Sequence, residues 1–201
     1  LMTVSPFDRA MQEALAVLGQ ALDIDRAYVF HNHTELGTGR LLCSQSYEWV
    51  APGVEPQIDN PELYGIPYDQ MPNWLAAMIS GKGIHALVRD LPAMERLLLE
   101  SQGVVSLIVM PIHIDGKLWG FVGFDACDEE HTWNQSEVDT LKLAASVFGG
   151  AIRRNEALTA LAASEERFRS IADTSGDVIY RLDLDGRVSY ASSAVRRVFG
   201  Y

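Results

Sequence analysis

Residues 101–127 read "SQGVVSLIVMPIHIDGKLWGFVGFDAC", and this stretch decides the fold. Two apolar runs flank Asp115-Gly116, a pair favoured in two-residue hairpins because the turn needs left-handed backbone at both positions. The spacing predicts that residues 104–114 pair antiparallel with residues 117–126. Both runs are apolar on both faces, which marks central strands covered on two sides. The rest of the chain must therefore supply cover for each face.

Working outward, residues 6–21 place Phe7, Met11, Leu15, Leu18 and Leu22 on a three-to-four-residue period, with Ser5 before Pro6 as a cap. "RAYVFHNHT" (26–34) and "LLCSQSYEW" (41–49) have the alternation of strands, and the turn "ELGTGR" joins them as a hairpin. Between them and the deciding stretch, residues 47–78 read "YEWVAPGVEPQIDNPELYGIPYDQMPNWLAAM". Five prolines and two tryptophans crowd this segment, and irregular chain of such length is uncommon unless it has a role of its own. "NWLAAMIS" reads as a short helix, "IHAL" as a short strand and "PAMERLLLESQG" as another helix. Downstream, Asn134 and Glu137 have capping-box spacing and open a helical pattern to Ile171. That helix is about 55 Å long, more than one small domain needs. The order of elements predicts an α+β fold on an antiparallel sheet, not a doubly wound one.

A formal charge of −11 leaves no basic field to collect phosphates, which excludes nucleic acid and anionic membrane as partners. Arg153-Arg154 and Arg196-Arg197 read as solvated helix surface. Cys43 and Cys127 cannot build a disulfide framework and suit a reducing cytoplasm. The most apolar run, "VVSLIVMPI", is half the length of a membrane span, about 18 residues. The chain reads as a cytoplasmic piece of a longer protein, whose membrane anchor, if it has one, lies outside this segment.

The first-helix pattern "FDRAMQEALAVLGQALDIDRAYVF" and the 101–154 segment, with Gly120, Gly123, Phe124, Asp125 and a following Trp133, resemble the GAF sensory domain family over residues 6–155. "SEERFRSIADTSGDVIYRLDLDGRVSYASSAVRRVFGY" (164–201), with its Asp185-Gly186 turn, is similar to the opening of a PAS domain. The resulting division is a GAF domain at 1–155, a signalling helix at 156–172 and a truncated PAS segment at 173–201. The resemblance implies an antiparallel sheet of five or six strands with helices on both faces. It also implies a small-molecule pocket closed by the 47–78 segment. The function it implies is that of a non-catalytic sensory and dimerisation region of a bacterial signalling protein, first of all a sensor histidine kinase of a two-component system. A diguanylate cyclase or phosphodiesterase, or a ligand-free structural dimeriser, are the alternatives.

"GFDACDEE" lacks the rest of the cyclic-nucleotide signature. Cys43 is followed by Ser44 and Cys127 by Asp128, where bilin-binding members place histidine, and no haem signature is present, so the cofactor is unknown. An enzyme of this fold acting on a small oxidised metabolite would require Cys43 or Cys127 to be reactive. Candidate pocket residues are Tyr47, Trp49, Trp74, His85, Ser106 and Met110, joined by Tyr64 and Tyr68; aromatics with a few polar tips suit a small organic ligand. A self-stapling hydrophobic plug is the competing reading of the same residues. His31, His33 and Cys43 have period-two spacing on neighbouring strands, but with no second ligand pair they read as polar residues near a turn, not a metal site. Asp125 and His131 read as a solvated acidic turn. Along the long helix, Leu141, Ala144, Phe148, Ala151, Asn155, Leu158 and Ala162 follow the spacing of a coiled-coil stripe, with packing on its own sheet as the alternative for the part before Arg153. Leu141, Phe148, Asn155 and Leu158 are the candidate homodimer contacts.

Overall fold

The computed structural model describes residues 5–200. Helix α1 (Pro6–Leu22) starts where the Ser5 hydroxyl accepts the amide of Asp8 at 3.1 Å, and ends on a left-handed Asp23. Strands β1 (Arg26–Thr34) and β2 (Leu41–Val50) form the first hairpin, with one extra residue, Ser46, between the partners of Val29 and Phe30. The proline-rich segment then folds as two single-turn helices around β3 (Ile66–Pro67), which pairs with Leu42 and Cys43. Helix α2 (Pro72–Ile79), strand β4 (Ile84–Leu87) and helix α3 (Ala93–Glu100) follow.

Strands β5 (Ser106–Ile114) and β6 (Lys117–Ala126) pair antiparallel around Asp115 and Gly116, whose φ values of 50° and 76° are those the turn demands. All six strands join one antiparallel sheet in the order β3-β2-β1-β6-β5-β4. The fold is α+β, as the hairpin pattern requires.

One face of this sheet is covered by α1 and by the first part of α4 (Gln135–Thr174). Met11 and Leu15 meet Val29, Ile108, Ile112, Val122 and Phe124 of the strands, and Leu141, Phe148 and Ile152 close the core. The Asn134 side chain caps the amides of Ser136 and Glu137, and the Glu137 carboxylate returns to the Asn134 amide at 2.7 Å. This is the capping box read from the sequence. Leu141 and Phe148 are fully or almost fully buried, which corrects their place in a dimer stripe: they pack on their own sheet. What α1 and α4 leave exposed on this unit is Val17, Leu143 and Val147, along an apolar groove.

The other face carries Tyr28, Phe30, Cys43, Leu107, Val109 and Phe121 under Leu63, Ile66, Tyr68, Met71, Trp74 and Met78. The irregular segment is therefore the roof of a second apolar layer.

The chain divides into two compact units between Ile152 and Arg153. In the second, β7 (Tyr180–Leu182) and β8 (Val188–Ala191) pair antiparallel, and α5 (Ala194–Phe199) follows. The Asp183 carboxylate accepts the amides of Asp185 and Arg187 and so fixes this hairpin turn. Ser193 donates its amide to Asp173 at the end of α4, and Ala172 and Ala194 are buried in this unit. On α4 beyond Arg153, Leu158, Leu161, Phe168 and Ile171 are exposed. Among the described residues, no helix is long and apolar enough to cross a membrane.

Candidate functional site

A cavity lies between the sheet and the 47–78 segment. Its apolar wall begins with Phe30 and Phe121, neighbours on β1 and β6 whose rings stack at 4.8 Å. Trp74 of α2 meets Phe121 edge-on at 6.2 Å and donates its indole N–H to the buried Glu95 of α3 at 3.0 Å. That bond ties the two short helices of the roof together. Leu63, Ile66, Met71 and Leu99 complete the apolar part, with Cys43 beneath. The space left for the centres of water molecules is about 40 Å³, room for about three of them.

The opposite end of the cavity is charged. Arg26 opens β1, and strand alternation places it on the same face as Tyr28 and Phe30. Its guanidinium is 2% exposed and faces Glu48 at 3.4 Å and Asp125 at 3.4 Å. It also donates to the carbonyls of Glu55 in the roof and Gln102 after α3. Glu48 in turn accepts the amides of Gln57 and Ile58 at 2.8 to 3.0 Å. Thus irregular backbone that would otherwise carry unpaired groups is satisfied by a buried ion cluster. Asp125 accepts the Tyr28 hydroxyl at 2.9 Å. Burial pushes its pKa up to about 7, against the opposing pull of Arg26 and Tyr28 and with a further push from Glu48. The same burial, with Asp125 beside it, raises Tyr28. Gln45, on the cavity side of β2, has its side-chain oxygen buried without a partner.

The GAF domain family model matches residues 6–152. The chain belongs to the GAF domain family. A methanogenesis regulatory histidine kinase, FilI of Methanothrix harundinacea, is 43% identical over 149 residues, which is 74% of this chain and 17% of that protein. The chain thus spans less than a fifth of that relative's length. Among solved structures, the blue-light absorbing form of the PixJ GAF domain from Thermosynechococcus elongatus superposes with a TM-score of 0.64 at 20% identity, covering 82% of this chain and 98% of that one. The photoproduct state of a GAF domain from Synechocystis sp. PCC6803 gives 0.65 at 16% identity, with 77% and 98% covered. At such identities the two structures speak for the fold alone.

Of the six pocket candidates, this GAF domain brings only Trp74 to the cavity. Tyr47 and Trp49 lie on the opposite face, against α1: the Tyr47 hydroxyl donates to Asp8 at 2.7 Å, and Trp49 packs against Gly19. The reason is the extra residue at Ser46, which inverts the alternation of β2 beyond it. Ser106 and Met110 share the helix-covered face with Ile108, and the Ser106 hydroxyl accepts the His131 amide. His85 is exposed on the edge strand. Tyr68 is buried in the roof and donates to Asn32, whereas Tyr64 is exposed.

Asp125 is also corrected: it is 2% exposed and belongs to the cavity floor, not to a solvated turn. His131 bonds Glu137 instead, at 2.8 Å. His31 stacks on His33 and meets the Ser46 hydroxyl, while Cys43 lies on the other face, so the trio does not assemble. Burial pushes the Cys43 thiol up to about 12 and the Cys127 thiol up to about 11. Neither thiol has the thiolate character of a nucleophile.

The cavity residues missed in the sequence are Arg26, Tyr28 and Gln45, with Glu48 beside Arg26. A signal existed for Arg26, which is in period-two phase with Tyr28 and Phe30.

Proposed function

We propose that this GAF domain is a non-catalytic sensor that binds a small molecule beneath residues 51–74 and reports it through α1 and α4. The observation that carries the reading is the cavity itself. An apolar chamber ending in buried charges, roofed by chain that those charges hold in place, is the arrangement of a ligand site with a closing segment. Glu48 makes the connection to the helices: its carboxylate holds the roof, and its backbone carbonyl accepts the Gln12 side chain of α1 at 2.7 Å. A roof that moves with its ligand pulls on β2 and hence on α1.

A histidine kinase as parent is supported by the kinase relative. Residues beyond Arg153 read as a signalling helix and the opening of a PAS domain, supported by the β7–β8 hairpin and α5. A homodimer would form through α4, with Asn155 and Leu158 joined by Leu161. The cavity has no room for a linear tetrapyrrole, so a ligand much smaller than the biliverdin bound by one solved far-red relative is implied. A ligand-free plug is the second reading, favoured by the fact that Leu63, Ile66, Tyr68, Met71 and Trp74 fill most of this face themselves.

Native mass spectrometry of the purified chain, with a metabolite panel screened by melting temperature, separates the two. The sensor reading expects a bound or stabilising small molecule together with a dimer that L158E/L161E dissociates. A monomer at all concentrations with no ligand-dependent shift would overturn it.

A further inference from the structure

The ionisable groups at the polar end of the cavity do not balance in charge, and they hold the chain above them. Glu48 and Asp125 each stand 3.4 Å from the Arg26 guanidinium, and all three are almost fully buried. With both carboxylates ionised, the cluster keeps one negative charge in excess away from water. A proton on one carboxylate removes that excess. Their partners decide which one takes it. Glu48 accepts the roof amides of Gln57 and Ile58, and donors of this kind favour a charged carboxylate. Asp125 accepts one hydroxyl, from Tyr28 at 2.9 Å, and one long contact from Arg26. Asp125 is therefore the proton acceptor, in agreement with its ionisation near pH 7.

We propose that the roof carries a proton latch: protonated Asp125 keeps the 51–60 chain closed over the cavity, and its ionisation lets that chain lift. The latch rests on the reading of residues 51–74 as a closing segment. Arg26 is its moving part. Nη2 donates to the Glu55 carbonyl of the roof at 3.2 Å and to the Gln102 carbonyl at 3.3 Å, while Nε faces Glu48 at 3.4 Å without a hydrogen bond of its own. One guanidinium is thus shared among four oxygens. A neutral Asp125 leaves it to Glu48 and the two carbonyls, which fastens the roof. An ionised Asp125 draws on it and restores the surplus charge, which water relieves. Strands β1, β2 and β6 are paired side by side in the sheet, so the irregular chain is the cover that yields to that water.

The direction with pH follows from where the proton is held. In the closed form burial lifts Asp125 to about 7; raising the roof hydrates it and returns it toward the ordinary carboxylate range. The closed form therefore binds a proton that the open form releases, so closure gains as the pH falls through about 7 and is level above it. The groups facing Asp125 are Arg26 and Tyr28 from β1, Glu48 from β2 and Cys127 just beyond β6. Burial raises both Tyr28 and Cys127, the latter to about 11, so neither changes charge near pH 7. Asp25, ahead of β1, spends its carboxylate on the amides of Cys127 and Asp128.

Amide hydrogen exchange of the 201-residue chain, corrected for the intrinsic effect of pH, tests this at Gln57 and Ile58, whose amides reach Glu48 only while the roof is down. The expected result is that opening at both amides rises about tenfold from about pH 6 to about pH 8, and exceeds at each pH that of the Val109 and Val122 amides in the central strands. D125N, neutral throughout, should hold both roof amides at about pH 8 within about twofold of their level at about pH 6. Y28F keeps all three charges and removes the hydroxyl that favours the ionised carboxylate, so it should move the midpoint to higher pH. It keeps the test open if D125N does not fold. Opening that is unchanged between the two pH values, that rises as steeply in D125N, or whose midpoint Y28F does not move, would overturn the latch while leaving the roof as a closing segment. Roof amides that exchange no faster than those of Val109 and Val122 at either pH open only with the whole domain, and would overturn both.

Discussion

The two faces of one sheet are covered by different means, and the difference dictates what is buried under each. On the helix side, α1 and α4 satisfy their own backbone hydrogen bonds, so only apolar side chains need meet the strands, and the core is continuous from Met11 to Ile152. On the loop side the cover is irregular chain whose amides and carbonyls have no ladder to join. Arg26 and Glu48 supply the partners, which places charge inside the protein. A face roofed by loop thus carries buried charge at one end beside its apolar layer.

The contrast breaks most severely at Arg26. R26M leaves Glu48 and Asp125 buried without a cation and frees the roof carbonyl of Glu55. A loss of about 5 kcal/mol is expected in urea unfolding at about pH 8. The sign with pH follows from Asp125: Arg26 holds its pKa down to about 7, so without Arg26 it titrates higher, and the penalty of R26M shrinks as the pH falls toward about 7 and is level below it. A pH-independent loss would mean that Asp125 is not the uncompensated charge.

The next effect sharpens the contrast between dry core and roof. L141A should cost about 4 kcal/mol, because its surroundings are two helices and a sheet that cannot collapse. L63A, on the irregular segment, should cost about 2 kcal/mol, because the roof can settle into the space. Equal losses would argue that the roof is as rigid as the helices. The smallest effect is at Gly19, where a Cβ would stand 2.1 Å from the Trp49 ring. Alanine gains about 1 kcal/mol in helix propensity but overpacks by about 1–3 kcal/mol. G19A should therefore destabilise by about 1 kcal/mol, and W49L should relieve the clash in a double-mutant cycle.

Much of the fold was legible because its signals are local. Asp115-Gly116 specifies a hairpin by turn geometry, Asn134 and Glu137 specify a helix start, and the period of Met11 and Leu15 specifies a buried face. The site was less legible because its determinants are not local. Arg26 and Asp125 are 99 positions apart and meet only through the pairing of β1 with β6. A charged residue at a strand start and another in an acid-rich segment each read as surface until the sheet order joins them. Tyr47 and Trp49 failed for a different reason: aromatic character identified them as buried, but the face depends on a count of residues that sequence alternation alone does not correct.

That count comes down to Ser46. Below the bulge, β2 lines the cavity with odd-numbered residues, Cys43 and Gln45; above it, the even-numbered Glu48 faces Arg26 and the roof amides. The strand is written in two reading frames, like a sentence with one inserted letter. The first frame lines the cavity, and the second fastens the roof. Flattening the bulge with Ser46 kept in the ladder would turn Trp49 toward the cavity and Glu48 toward α1, placing an aromatic ring where the roof needs a carboxylate. Removing Ser46 would instead merge the two frames and leave both side chains on their present faces.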